Sequence, residues 1–591
     1  MRAACLVLVA MICLVSAQVF FRYVLNLPIT WSEELATYLF AWLIFLGATV
    51  SIRRNEAPAL NLLGDRLPRR AASVLHAVRE LLALAISAAL LWKGIGACID
   101  MMAQRSPTMQ VPMGIPLLVV PIAAAGLVLH YVARIVALLD AGWAIVGGAA
   151  LVVGVAIVAT GLTSSDWPVP ALLLAIAVGF AVGLPVALAL IWAVGFVLLM
   201  QDQSLLIVPE QMFTAASNFI LTAIPFFMFT GAVMQVGGLA DRLVTFAAAL
   251  VGRFRGGLLF TNIIASAIFA DMSGSAVSDT VAIGSVMLPG MIRRGYQREF
   301  STALQAAAGT LGVLFPPSIA TIIYAWVANT SVADMFLASF LPAFLVLLSF
   351  AVIAWWHAAR HAYPREAPAG GRQILCAFAR AFWALLTPVL ILIGILSGAV
   401  TPTEAGVVAA VYAVVISVGP YRSMGMAELW DSLDRAVLGT ARVMFVLAAA
   451  VLLGWEMIIL QVPQTLAAGM LDVSHNALVL LVILNLALVL VHGVMETSAT
   501  LILLVPLVLP IFTGVGVDPI HLGIVFLVNS ALGLLTPPLG LVLYVAAPIT
   551  GLRVERLARA AVPFMLALVI DLAIVVVFPR ISMIVPALVH G

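Results

Sequence analysis

The chain has 591 residues, 64% of them hydrophobic and 9% charged, with a mean hydropathy of +1.20. A soluble domain carries about 25% charged residues, so a soluble enzyme or binding module is excluded and a polytopic helical membrane protein is implied. The net charge of +2 selects no partner by itself, and no nucleic-acid partner is expected. At ~20 residues per span the length allows about 14 to 18 spans.

Residues 1–140 read as a small four-helix unit, with spans near 3–25, 33–52, 72–93 and 113–138. The first span is read as a retained helix, because no small-residue cleavage site followed by a soluble stretch comes after it. Arg53, Arg54, Arg66, Arg69 and Arg70 crowd the loop after the second span, and an excess of arginine marks a cytoplasmic loop. Within that loop Asn61–Leu67 suits a short surface helix, and the arginines are read as setting topology ahead of contacting membrane lipid. Four spans that start inside return the chain to the cytoplasm near Arg134. An apolar run at about 142–162, within a linker at 141–168, is then needed to carry it out again.

Residues 169–591 hold an internal repeat. Pro316-Pro317 and Pro537-Pro538 lie 221 residues apart, and the same offset carries Leu288-Pro289 onto Leu509-Pro510 and Gly295 onto Gly516. Spans near 171–200 and 219–236 lead to an amphipathic stretch at 239–257 and then to a polar segment at 271–289. A basic connector from His357 to Arg372 precedes the second copy, which begins near 374. Each Gly-to-Pro-Pro stretch should break a membrane helix. Broken helices are tolerated at membrane depth only where protein or water surrounds them, and paired ones mark a transporter's binding site.

Asp271 to Thr280 contains three serines, two aspartates and a glycine in an apolar frame. With Pro289 read as its end, the segment is too short to span twice, so a hairpin entering and leaving from one side is expected. His492 to Thr500 has the same character. Hydroxyls and backbone carbonyls at such tips suit a hard cation, and helix N-termini there suit an anion. The construction implied is two cation sites, one per half, with substrate between them. A single serine in a membrane helix often only bonds a nearby carbonyl; the whole segment paired with a Pro-Pro break carries the functional reading. Asp279 and Glu496 are either hairpin-orienting acids or ion ligands, Glu404 opens a helix as an acid in a first turn commonly does, and His492 is read as a packing or interface residue. Lys93, the one lysine, has no phosphate-loop context, which leaves an ion gradient as the driver. No catalytic spacing is present, and Cys5, Cys13, Cys98 and Cys376 suggest neither a metal site nor disulfides.

The stretch from Ser273-Gly274-Ser275 through Arg294-Gly295-Tyr296 to Phe315-Pro316-Pro317-Ser318 resembles the large membrane subunit of the tripartite ATP-independent periplasmic (TRAP) transporters. So do Ala223-Ile224-Pro225-Phe226-Phe227, Thr401-Pro402-Thr403-Glu404-Ala405, Asp518-Pro519-Ile520-His521, Asn529 and Gly533–Gly540. Phe21-Arg22-Tyr23-Val24-Leu25-Asn26 with Trp31-Ser32-Glu33-Glu34-Leu35 resembles the small subunit. The chain thus reads as a fusion, with a small-subunit-like unit at 1–140, a linker helix at 141–168 and a large-subunit-like unit at 169–591. Ser278 and His492 depart from the residues the family pattern leads one to expect, alanine and an apolar residue.

The resemblance implies an all-α polytopic membrane protein of inverted-repeat elevator type, with two helical hairpins, two broken helices and an N-terminal four-helix scaffold. It implies a symporter in the bacterial inner membrane that imports a small organic acid with two or more Na⁺, the substrate arriving on a periplasmic binding protein. Carried over by motif, one Na⁺ site would use Ser273, Gly274, Ser275, Gly312 and Pro316. The other would use Gly493, Glu496, Thr497, Gly533 and Thr536. Substrate would meet Ser275, Asp279, Pro317, Thr497 and Pro538. The fused small unit suggests a monomer. A passive organic-anion channel, and a transporter of similar fold that needs no binding protein, remain the alternatives.

Overall fold

A computed structural model describes residues 1–59, 68–139, 168–361, 363, 365, 368–493, 495–537 and 540–590. The expected linker span at 142–162, the loop helix at 61–67 and Pro538 lie outside the described residues. Among those described, all regular structure is helical, and nine helices are long and apolar enough to cross a membrane.

The N-terminal helices follow the apolar runs. They are α1 (Arg2–Tyr23), α2 (Ser32–Arg53), α3 (Arg69–Asp100) and α4 (Val119–Leu139). Next come α5 (Pro168–Val182), α6 (Val186–Met200) and α7 (Ile207–Ala216). The span expected at 171–200 is therefore two helices. Gly183 has φ +81° and Pro185 cannot extend a helix through its missing N–H, so the chain breaks between them.

The first repeat contains α8 (Ala223–Val236), α9 (Leu239–Val251), α10 (Gly257–Ser273), α11 (Ala276–Arg293), α12 (Arg298–Gly309), α13 (Ile319–Val327) and α14 (Val332–His361). After α15 (Gly371–Leu396) and α16 (Pro402–Val418), the second contains α17 (Met426–Ile459), α18 (Val462–Val473), α19 (Ala477–His492), α20 (Thr497–Gly514), α21 (Pro519–Leu535), α22 (Leu541–Thr550) and α23 (Val554–Val577). A last helix, α24, runs from Arg580 to His590. Shifted by 221, α11 begins and ends where α20 does, and α12 begins where α21 does. The repeat read from two proline pairs is a repeat of helices.

The hairpins are longer than the sequence suggested. The first runs from Gly257 to Arg293, and Pro289 lies inside α11 instead of ending it. Proline at that place removes one bond to the carbonyl four residues back, a loss that membrane helices tolerate when neighbours satisfy the freed group. Arms of 17 and 18 residues are each about 26 Å long.

The chain forms two compact units. One is Met1–Thr222 with Val437–Leu466; the other is Ala223–Ala436 with Ala467–Gly591. In the first unit α3 packs on α4, and Gly47 on α2 leaves room for Ala441 on α17, where a Cβ would come within 2.6 Å of the Ala441 methyl. In the second, α8 packs on α16, and the two repeats interlock. Helix α13, which follows the first Pro-Pro pair, packs on hairpin arm α20; α22, which follows the second, packs on arm α11.

Candidate functional site

Both hairpins and both breaks belong to the second unit. At the first tip α10 ends at Ser273, Gly274 takes a left-handed conformation at φ 58°, and Ser275 caps α11. Glycine is required at Gly274 for two reasons. Its φ is positive, and a Cβ would stand 2.9 Å from the Pro317 carbonyl oxygen and 3.2 Å from the Ile319 nitrogen. The tip thus rests directly on the broken segment. Gly231 on α8 presses from another side, since its Cβ would lie 3.2 Å from the Ser273 Cα.

The polar groups of this tip form one cluster. Ser273 donates its hydroxyl proton to Asp279 Oδ1 and accepts from the Ser275 N–H at 3.2 Å. The Asp279 backbone carbonyl accepts from Gln305 at 3.3 Å. Asp279 Oδ2 is buried with no hydrogen-bond partner among the described residues, and so is Asp271 Oδ1. A Cβ at Gly312 would stand 2.5 Å from Asp279 Oδ2 and 2.9 Å from the Ser275 carbonyl carbon. Gly312 lies in a one-turn 3-10 helix, Thr310–Val313, followed by the buried pair Pro316-Pro317 in the cis form and by Ser318, whose hydroxyl bonds the Val313 carbonyl at 3.0 Å. Ser273, Gly274, Ser275, Asp279, Gly312 and Pro317 are therefore brought together.

The second tip has a different design. α19 ends at His492, Gly493 stays near helical angles at φ −64°, and Glu496 precedes α20. Ser498 donates to Glu496 Oε1 at 3.2 Å, and the Glu496 carbonyl accepts from the Thr500 hydroxyl at 3.2 Å. The Thr497 hydroxyl is buried with no partner among the described residues. Gly533 lies under His492, whose Cβ would collide with a Cβ placed there. Thr536 ends α21 and turns its hydroxyl back to the Leu532 carbonyl at 2.7 Å.

His492, read as an interface residue, and Asn529 hold this second site together with two residues that escaped the sequence reading, Asn485 and Ser530. His492 Nδ1 meets Asn529 Oδ1 at 3.2 Å, and its Nε2 meets the Ser530 hydroxyl at 2.9 Å. Asn529 in turn donates to Asn485 Oδ1 at 2.8 Å and to its carbonyl at 3.0 Å. The network ties hairpin arm α19 to α21. Asn485, a lone amide within the apolar run of α19, was the available signal, because polar groups inside a membrane helix are kept for a partner. Glu404 is the helix-opening acid expected: it caps α16 in a reciprocal box with Thr401, whose N–H it accepts at 2.8 Å.

Comparison with known proteins decides the class. The pattern of the tripartite ATP-independent periplasmic transporter, DctM component, matches residues 173–581, and that of the DctQ component matches residues 11–141. The chain belongs to the TRAP transporter family. The isethionate TRAP transporter permease protein DctMQ of Oleidesulfovibrio alaskensis is 32% identical over 562 residues, 94% of this chain and 88% of that one. The C4-dicarboxylate large permease protein DctM of Pseudomonas aeruginosa is 38% identical over 390 residues, 66% of this chain and 91% of that one. The sialic acid large permease protein SiaM of Vibrio cholerae is 36% identical over 410 residues, covering 69% and 96%. This TRAP permease is thus a transport protein and not an enzyme, and it is a multi-pass protein of the bacterial inner membrane.

Proposed function

We propose that the chain is a Na⁺-coupled importer of a small organic acid, handed over by a periplasmic substrate-binding protein, and that it works by an elevator movement of the hairpin-bearing unit. The observation that carries this reading is the matched pair of hairpin tips seated on broken helices, with buried oxygens left over. Oxygen atoms without a partner in apolar surroundings cost free energy unless something else binds them. Asp279 Oδ2 and the Thr497 hydroxyl are such atoms, and oxygen is the donor a hard alkali cation takes.

In this reading Ser273, Gly274, Ser275, Gly312 and Pro316 surround one Na⁺, and Gly493, Glu496, Thr497, Gly533 and Thr536 the other. Many of the ligands would be backbone carbonyls freed at the breaks. The substrate's acid group lies between the N-termini of α11 and α20, which carry partial positive charge, beside Ser275 and Thr497, with Pro317 and Asp279 bordering it and the free Oδ2 of Asp279 offered to the first Na⁺. The relatives' substrates, isethionate, C4-dicarboxylates and sialic acid, share an acid group and support an organic anion here. Residues 1–140 and the 141–168 linker then serve as fixed scaffold, and the fused chain works as a monomer. Bound Na⁺ offsets the charge of the anion during passage through a low-dielectric region.

The test is uptake into proteoliposomes holding the full chain, with a panel of labelled carboxylates and sulfonates, with and without an inward Na⁺ gradient and the cognate binding protein. Accumulation that needs both supports the reading. Equilibrating flux without Na⁺ would establish a passive anion channel in its place.

A further inference from the structure

The first unit contains a cavity that the transport reading does not use. It has a volume of about 210 Å³ and lies between α3, α6 and the start of α7. Ile86 and Leu90 on α3, Phe196 on α6 and Pro209 on α7 give it an apolar wall. Two polar groups interrupt that wall, Lys93 and the indole of Trp192. Lys93 is the one lysine in 591 residues. The indole N–H of Trp192 is buried with no acceptor among the described residues.

The position of Lys93 sets its depth. Helix α3 has 32 residues and is about 48 Å long, against a hydrocarbon core of about 30 Å. Its first residues carry the arginines that mark the cytoplasmic side, so Lys93, near the other end, reaches the periplasmic headgroup layer. Its neighbour Trp92 is 74% exposed, as suits a tryptophan anchoring a helix at a membrane interface. Ile95 and Leu199 are exposed beside them, so this side of the unit faces acyl chains.

An apolar cavity that opens to lipid does not hold water well. Its apolar wall and its cation at headgroup depth together match one amphipathic molecule. We infer that the cavity is a phospholipid site in the outer leaflet, in which one acyl chain lies against Ile86, Leu90 and Phe196. Lys93 binds the phosphate, and the Trp192 ring forms part of the wall beside it. The site lies between a helix of the DctQ-matching segment and two of the DctM-matching segment, so a bound lipid would join these two parts within the first unit. This goes beyond the transport reading and does not depend on it.

Native mass spectrometry of the full chain, delipidated in detergent and titrated with phosphatidylglycerol or with diacylglycerol of the same chains, tests the inference. The expected result is one tightly retained phosphatidylglycerol, held about 10-fold more strongly than diacylglycerol. Lys93→Gln should abolish that 10-fold preference. Gly195→Leu should abolish the retention itself. Gly195 lines the cavity, and a Cβ there meets nothing nearer than Leu205 Cδ2 at 3.9 Å, so the larger side chain enters the space without displacing backbone. Ala89→Leu, on the opposite wall, is a second filling variant should the first prove unstable, with circular dichroism checking the helix content of each. Equal retention of the two lipids, or retention unchanged in both filling variants, would overturn the site.

Discussion

The two hairpins occupy equivalent places in the repeat and solve the same problem with different residues. In the first, the acid is Asp279, one turn inside α11, bonded by Ser273 across the tip. In the second, the acid is Glu496, at the cap position itself, and Thr500 stands where Asp279 would fall. Eight residues before Asp279 and Thr500 the contrast repeats, with Asp271 in the first arm and His492 in the second. The first break is buried throughout from Leu311 to Ile319, whereas the second is half-exposed at Thr536 and exposed at Pro537. A repeat conserves the backbone device, a hairpin seated on a proline break, while each copy chooses its own side chains. The difference teaches that the tips are not interchangeable, and that the first is the more enclosed of the two.

The largest effect should come from the first acid. Asp279→Asn keeps the shape but replaces the free carboxylate oxygen by an amide group. Hydrogen bonds to a charged group are worth about 1.5–3 kcal/mol, and each 1.4 kcal/mol is a factor of ten. The half-saturating Na⁺ concentration for uptake should therefore rise about 10- to 100-fold. Glu496→Gln should raise it less, about 10-fold, because the second tip is more open and backbone groups can substitute. Equal effects would erase the asymmetry drawn above, and no effect from either would remove the acids from the ion sites.

The two glycines under the tips come next. Gly312→Ala would push a methyl against Asp279 Oδ2 and the Ser275 backbone, and Gly533→Ala would push one into His492. Overpacking of this kind costs about 1–3 kcal/mol. At Gly312 the neighbours are a buried carboxylate and backbone that cannot turn aside, so uptake and melting should both fall. At Gly533 the obstacle is a side chain held by Asn529 and Ser530, so melting should drop as well. Thermal denaturation alongside initial uptake rates checks both variants. His492→Leu, which leaves Asn529 Oδ1 without its imidazole partner, should lower stability by a similar 1–3 kcal/mol, read in the same melting assay.

How much of this was legible follows from where each signal resides. The repeat was legible because proline and glycine punctuate a helix wherever they fall, and four of them kept one offset. The tips were legible because Ser273, Ser275 and Asp279 are polar in an apolar frame. The first hairpin arm was not, since residues 257–270 read like any apolar run and Pro289 looked like an end. The break at Gly183–Pro185 was hidden for the same reason, inside a continuous apolar stretch. The partners of His492 could not be read, because Asn529 and Ser530 are 37 and 38 residues away and only helix packing brings them to the imidazole.

The smallest predicted effect discriminates structure from site. Helix α16 opens with a complete capping box, Thr401 accepting from the Glu404 N–H and Glu404 from the Thr401 N–H. At the hairpin tip the corresponding cap is weak: Ser278 N–H reaches Ser275 Oγ only at 3.5 Å, at the limit of a hydrogen bond. A good N-cap is worth about 1 kcal/mol. Thr401→Ala should therefore lower stability by that amount and leave the Na⁺ dependence of uptake alone. Ser275→Ala should do the reverse, with melting almost unchanged and Na⁺ dependence shifted, because the hydroxyl there is placed for a ligand more than for its own helix. If both substitutions only lower the melting temperature, Ser275 is an ordinary cap and the first ion site must be built from the backbone and Asp279 without it.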